Sequence, residues 1–128
     1  MKISRLFKFG VGIACAFLYF GGEAQSIQPH KINIIDFNLV IQKNKVNINW
    51  STDNKTATNY FEVEKSQDGK NFKTVAYILG ADPAKTGCDC YGCIDVVGKT
   101  KNEFYYRLKH VDTDGNVEFS ETRTLAFK

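Results

Sequence analysis

The chain has 128 residues, a formal net charge of +3 and 43% hydrophobic residues, a composition that fits one small globular domain. Its basic excess is concentrated at the start. Without Lys2, Arg5, Lys8 and Glu23, the chain keeps 14 of its 17 basic residues and 13 of its 14 acidic residues. This balance argues against electrostatic steering toward nucleic acid or an anionic membrane surface.

The first 24 residues have the layout of a secretory signal peptide. The start is basic, residues 7–20 are apolar apart from Lys8 and glycines, and Gly22 and Ala24 supply the small side chains of a cleavage site. The run is too short to span a bilayer comfortably, although an uncleaved anchor is the alternative. We expect residues 1–24 to be removed, residues 25–33 to form a flexible segment, and residues 34–128 to form the mature domain.

Beyond the leader, apolar residues alternate with polar ones with a period of two, which is typical of antiparallel strands with one buried face. In the first segment, Ile35, Phe37, Leu39 and Ile41 share the face expected to be buried. No window has a helical repeat. The pattern predicts seven strands, at residues 34–42, 45–52, 60–66, 72–80, 90–95, 103–111 and 117–126.

Turn residues separate the predicted strands. The pairs Asp68-Gly69 and Asp114-Gly115 lie between alternating runs, where tight hairpins need a backbone of positive φ. Seven short strands in about a hundred residues predict an all-β, antiparallel β-sandwich of immunoglobulin-like shape. Large inward side chains supply most of the core of such a small sandwich. We expect this core to contain Trp50, Phe61, Val63, Tyr106 and Leu108.

Two longer motifs carry a family resemblance. The segments "VNINWSTDNKTATNYFEVEKSQDGKNFKTV" and "FYYRLKHVDTDGNVEFS" resemble a fibronectin type III-like module. Modules of this kind recur in secreted and cell-surface proteins of Gram-negative bacteria that use type IX secretion. The resemblance implies a sandwich fold and a location in the periplasm, at the outer cell surface or outside the cell. It implies no catalytic activity, because such modules serve many binding and spacer roles.

The segment "GCDCYGC" contains Cys88, Cys90 and Cys93 and is not part of the family pattern. Residues three apart in an extended strand are separated by roughly 10 Å between Cα atoms, whereas a disulfide spans at most about 7 Å. Three outcomes stay open. One local disulfide could leave a thiol that bridges to a second copy; the three sulfurs could bind a metal with Asp89 or His110; or the thiols could be purely structural.

Other conspicuous polar residues have ordinary structural interpretations. Asp112, Asp114 and Asn116 resemble part of a calcium loop, but its glutamate and flanking helices are missing, so a hairpin turn is favoured. Lys99, Lys101, Arg107 and Lys109 could form a basic strip. The favoured interpretation is a solvated sheet face on which Glu62 and Glu64 of a neighbouring strand offset Arg107 and Lys109.

The inventory of catalytic motifs is poor, since His110 is the only histidine inside the predicted domain and no nucleophile elbow or phosphate loop is present. We therefore expect a secreted, non-enzymatic module without a cofactor. It would interact with a protein or an envelope component, or act as a spacer, and a disulfide-linked homodimer is one option. The alternative function is a small periplasmic metal-binding or thiol-redox protein that uses the cysteine cluster.

Overall fold

The computed structural model describes residues 33–53, 57–84 and 88–128. The predicted leader, residues 1–24, and nearly all of the predicted flexible segment lie outside these described residues. All regular structure in the described part is β-structure, so the predicted fold class is confirmed. The strands are β1 (Ile34–Gln42), β2 (Lys45–Thr52), β3 (Thr58–Ser66), β4 (Lys73–Leu79), β5 (Cys90–Val96), β6 (Glu103–Asp112), β7 (Val117–Phe119) and β8 (Arg123–Ala126).

The strands form two antiparallel sheets. One sheet has the order β1-β2-β5, and the other has the order β4-β3-β6-β7, with β8 also paired to β6. Chain neighbours β2 and β3 therefore belong to different sheets, and so do β4 and β5. The two sheets pack face to face, and alternate residues of each strand point into the space between them.

The interior of this sandwich is built around aromatic rings. Trp50 contacts the edge of Phe61 with ring centroids 5.3 Å apart and stacks on Tyr91 at 5.9 Å. Phe61 and Tyr91 join β3 to β5 with their ring centroids 4.9 Å apart. The buried hydrophobic cluster consists of Phe37, Val46, Ile48, Trp50, Phe61, Val63, Tyr91, Phe104, Tyr106 and Leu108. All five residues expected in the core lie in it.

The first strand corrects one expectation. Ile35 was predicted to share the buried face with Phe37, but Ile35 is 44% exposed and Ile34 packs against the core instead. The pairing of β1 with β2 shifts between Ile35 and Asn38, and Asp36 has a φ of 54°. This bulge inserts one residue into the strand, so the alternation reverses at Asp36. Ile41, expected to be buried, is also 36% exposed near the end of the sheet.

The last predicted strand is divided in two. Residues 117–126 were expected to form one strand, but β7 pairs with the second half of β6 and β8 with its first half. At the break, the Leu108 N–H donates to Oγ of Ser120 over 2.8 Å, and the Ser120 N–H donates to the Leu108 carbonyl oxygen. The serine hydroxyl thus takes the place of a strand carbonyl and interrupts the ladder.

Asx-type hydrogen bonds close both predicted hairpins. Asp68 Oδ1 accepts from the N–H groups of Lys70 and Asn71, each over 2.8 Å, and Gly69 has a φ of 74°. Asp112 in the second hairpin accepts in the same way from Asn116, with both its backbone and side-chain N–H groups. These donors occupy the carboxylate oxygens that a calcium ion would need, which agrees with the turn interpretation.

Candidate functional site

The outward surface of the five-stranded sheet carries the most unusual group of side chains in the described residues. We call this surface the outer face. It is organised in rows that run across the strands, because paired residues of neighbouring antiparallel strands lie side by side. In the order β4, β3, β6 and β7, one row consists of Tyr77, Glu62, Lys109 and Phe119, and the next row consists of Leu79, Tyr60, Val111 and Val117. A third row crosses only β4, β3 and β6 and consists of Thr74, Glu64 and Arg107.

Two ion pairs occupy the middle of the outer face. Arg107 Nε lies 2.6 Å from an oxygen of Glu64, and Lys109 Nζ lies 3.2 Å from an oxygen of Glu62. Both glutamates are only 8% exposed. Thr74 donates a further hydrogen bond to Glu62 over 3.0 Å. The hydrogen bond from Lys109 to Glu62 raises the lysine pKa, because it favours the charged ammonium. The expected offset of Arg107 and Lys109 by Glu62 and Glu64 is present in these contacts.

Aromatic rings enclose the arginine of this group. The guanidinium carbon of Arg107 lies 4.0 Å from the ring centroid of Phe72 and 4.3 Å from that of Phe119. A planar guanidinium that lies close to two rings gains cation–π attraction from both while it keeps its carboxylate partner. The arginine is therefore held in place by Glu64, Phe72 and Phe119 together.

Large apolar side chains form the two rims of the outer face. On the β4 side, Tyr77 is 66% exposed and Leu79 is 54% exposed. On the β7 side, Phe119 is 53% exposed and Val117 is 47% exposed. Neighbouring rows are separated by two residues along each strand. These four side chains therefore mark the corners of a patch about 14 Å wide and about 7 Å long. Exposed apolar side chains therefore flank a centre of paired charges on this surface.

The basic strip, the less favoured interpretation of these residues, does not form as one surface. Arg107 and Lys109 lie on the outer face, whereas Lys99 and Lys101 lie in the connection between β5 and β6. There they line an open depression of about 730 Å³ together with Lys43 and Lys128. The two pairs of basic residues are separated because β6 begins only at Glu103.

Charged groups inside the sandwich are joined through Asp95. Its Oδ2 lies 2.9 Å from Nζ of Lys65 and accepts a hydrogen bond from the Tyr106 hydroxyl over 2.8 Å. Burial, together with this hydrogen bond, strongly raises the pKa of Tyr106 and keeps the phenol neutral. Lys65 also lies over the Phe104 ring, 4.2 Å from its centroid. This network ties β3, β5 and β6 together.

The cysteine segment lies at the start of the edge strand β5. Cys88 and Cys90 form a disulfide with their Cα atoms 5.2 Å apart, and Cys93 is a free thiol. Cys93 packs against the core on the same side of the strand as Tyr91. Burial and the nearby Asp95 carboxylate raise the pKa of Cys93 to about 11. A thiol that stays protonated at neutral pH is a weak nucleophile and a weak metal ligand.

His110, the other proposed metal ligand, is engaged elsewhere. It is 2% exposed, its Nε2 is hydrogen-bonded to Oγ1 of Thr58 at 2.9 Å, and its ring lies 5.1 Å from that of Phe61. Burial lowers its pKa, which favours the neutral imidazole. In residues 33–53, 57–84 and 88–128, no three histidine, cysteine, aspartate or glutamate side chains are grouped so that they could hold a metal ion. That same part of the chain contains no helix that could cross a membrane.

Sequence reasoning found the charges of the outer face but missed its rims. Phe72, Tyr77 and Phe119 fall in predicted strands without a role, because an exposed aromatic in a strand cannot be distinguished from a buried one by period alone. The pairing of Tyr77 with Glu62, and of Phe119 with Lys109, would have indicated their common face once the strand order was known.

No protein-family model matches the chain, and no curated protein resembles it significantly in sequence. Solved structures with a similar fold include the pectate lyase Pel3 from Pectobacterium carotovorum, with a TM-score of 0.58 and 16% identity. A beta-1,2-glucanase from Parabacteroides distasonis has a TM-score of 0.56 and 20% identity. The pectate lyase PelI from Erwinia chrysanthemi, solved in complex with tetragalacturonic acid, has a TM-score of 0.54 and 15% identity.

These matches cover most of this chain but only a small part of each enzyme. They cover 72%, 76% and 73% of this chain but only 26%, 13% and 28% of the three enzymes, in the same order. At such identities the likeness concerns the fold alone. The chain is therefore similar to one limited region of each larger protein.

Proposed function

We propose that this protein is a secreted, non-catalytic, fibronectin type III-like module that interacts with another protein or with an envelope component through its outer face. One observation carries the proposal. The space between the sheets is filled by packed rings and by the Asp95 network, while the outer face combines neutralised charges with exposed apolar corners. The exposed apolar corners favour a contact role, and the charged groups at the centre are held by one another.

The fold comparisons support the proposal indirectly. Each matched region is a small part of a longer polysaccharide-degrading enzyme, and small sandwich units within long chains commonly serve as spacers or binding modules. The leader-like residues 1–24 and the motif resemblance favour an extracytoplasmic location. The metal-binding alternative is disfavoured by the pairing of Cys88 with Cys90, which occupies two of the three sulfurs. The raised pKa of Cys93 disfavours that thiol as a redox nucleophile or a metal ligand.

The first experiment tests the non-catalytic part of the proposal. The pure protein is incubated with pectate, with β-1,2-glucan and with a panel of other polysaccharides, and new reducing ends or unsaturated products are measured. We expect none above a buffer control. Reproducible turnover that a single substitution abolishes would overturn the assignment as a non-enzyme.

The second experiment tests the outer face. The protein is immobilised and exposed to envelope extract from its own host, beside the variants Tyr77→Ser and Phe119→Ser. The matched control is Ile94→Ser, because Ile94 is 61% exposed but lies on the outward side of the other sheet. We expect a bound component that both outer-face variants lose and the control retains. Equal capture by all four proteins would contradict a role for the outer face.

A further inference from the structure

The arrangement of charges on the outer face is complementary to itself. Both carboxylates, Glu62 and Glu64, lie on β3, and both cations, Lys109 and Arg107, lie on the neighbouring strand β6. The face therefore presents a negative column beside a positive column, with a net charge near zero. Any surface that presents the same two columns in the opposite order would match it.

A second copy of the chain supplies that opposite order in one orientation. If two outer faces meet about a two-fold axis parallel to the strands, β3 of each copy lies over β6 of the other. Each glutamate then faces a cation of the second copy. A two-fold axis across the strands would instead place β3 over β3 and bring like charges together, which is unfavourable.

The apolar corners satisfy the same symmetry. The rotation that exchanges β3 and β6 also exchanges the rim strands β4 and β7, because the sheet order is β4-β3-β6-β7. Tyr77 then faces Phe119 of the second copy, since both belong to one row, and Leu79 faces Val117 in the next row. Aromatic and aliphatic pairs would thus form at all four corners around the charged centre.

We propose that two copies of this chain associate through their outer faces about a two-fold axis parallel to the strands, with Tyr77 against Phe119 and the glutamates of β3 over the cations of β6. This proposal rests on the proposed function and identifies the partner of the outer face as a second copy of the same chain. Four strands and three rows give a footprint of about 400 Å² per copy, or about 800 Å² in total, which is below the standard size of specific interfaces and in the range of weak, transient ones. We therefore expect a weak dimer with a Kd of about 100 µM.

The self-association is measured by sedimentation equilibrium on the full processed chain, in reductant, so that a disulfide-linked pair does not contribute. Tyr77→Ser and Phe119→Ser should each raise the Kd at least about tenfold, because each removes an aromatic contact at two symmetric corners. Ile94→Ser should leave the Kd within about twofold, since its side chain is equally exposed on the opposite surface. Thermal unfolding of each variant shows that the fold is retained.

A charge exchange tests the orientation of the two copies. The double variant Glu62→Lys with Lys109→Glu preserves the ion pair within each copy and should associate with itself as tightly as the original protein. Mixed with the original protein, it should form no heterodimer, because each mixed interface would contain like charges over like charges. A fluorescent label on one species distinguishes mixed from pure dimers.

Each outcome decides the proposal. If the protein stays monomeric up to about 1 mM, the proposed self-association is wrong. The proposed non-catalytic function is not affected by that result, because the turnover and capture assays test it separately. A dimer that Ile94→Ser weakens as much as Tyr77→Ser lies on a different surface. A dimer that mixes freely with the charge-exchanged variant excludes the proposed axis. Loss on Tyr77→Ser together with failure to mix supports the arrangement.

Discussion

Strands β3 and β6 present two opposite surfaces that are shielded from solvent by different means. On the inward side, Phe61 and Val63 are fully buried against the other sheet. On the outward side, Glu62 and Glu64 alternate with them and are only 8% exposed, although no second layer of the described chain covers them. The inward surface is protected by a packed core, and the outward surface by ion pairs, aromatic rings and the rim strands.

The difference shows how one pair of strands can combine stability with a contact surface. Burial of apolar area supplies most of the free energy of folding, and it comes from the inward residues. Paired charges contribute little net stability, since desolvation offsets their attraction, but an unpaired charge in the same place is costly. The outward charges therefore set the order and specificity of the face more than the stability of the sandwich.

The largest expected effect comes from the inward side. Phe61→Ala should lower the free energy of unfolding by about 3–5 kcal/mol, because it removes a ring that contacts both Trp50 and Tyr91 and leaves a cavity. Urea unfolding, followed by fluorescence of the single tryptophan, measures it. Ile94→Ala on the exposed surface of β5 is the control and should change stability by less than about 0.5 kcal/mol. Similar costs for both would contradict the comparison.

The next effect concerns the outward ion pair. Glu64→Gln should cost about 1–3 kcal/mol, because it leaves Arg107 enclosed by two rings without its carboxylate. The chain offers a matched control in the pair Arg123–Glu121, which has the same 2.6 Å separation. Its side chains are 48% and 66% exposed, so Glu121→Gln should cost at most about 0.5 kcal/mol. Equal losses in urea unfolding would show that enclosure of the outward charges has no energetic consequence.

The inward thiol should make stability depend on alkaline pH. The folded state raises the pKa of Cys93 from 9.0 to about 11, so between these values the folded chain holds a proton that the unfolded chain has released. Stability should therefore be intact below pH 9 and fall as pH rises toward 11, by on the order of 1 kcal/mol.

Cys93→Ala removes this contribution, and urea unfolding from pH 8 to 11 should show a shallower decline. Some decline should persist, because the raised pKa of Tyr106 acts in the same direction at higher pH. An unchanged slope in the variant would mean that Cys93 is not the group that titrates.

The smallest expected effect is a difference in alkylation between the thiols at the start of β5 and the thiol that faces the core. Without reductant, the native protein should take up no alkylating reagent at neutral pH. After mild reduction, Cys88 and Cys90 should each react, and Cys93 should react only after unfolding. Intact mass counts the labels and also reports removal of residues 1–24. Rapid native labelling of Cys93, or stoichiometric zinc in protein purified without oxygen, would favour the thiol or metal alternative.

The sequence alone predicts much of the sandwich. Periodicity of two places β1 and β2 with their observed bounds, and the Asp-Gly pairs locate two hairpins, because both signals depend on neighbouring residues. The pairing of Glu62 and Glu64 with Lys109 and Arg107 was also predictable, since outward charges on adjacent strands need partners. None of these inferences required the path of the whole chain.

What the tertiary structure decided involves residues distant in sequence. The bulge at Asp36, which forms where β1 pairs with β2, places Ile34 rather than Ile35 against the core. The hydrogen bond between Ser120 and Leu108 of β6 divides the last predicted strand in two. Phe72 and Phe119 meet at Arg107 only after the sheet has formed. The alternation of apolar and polar residues thus predicts which residues share one side of a strand. Only the order of the strands in the sheet determines which of those residues lie together on one surface.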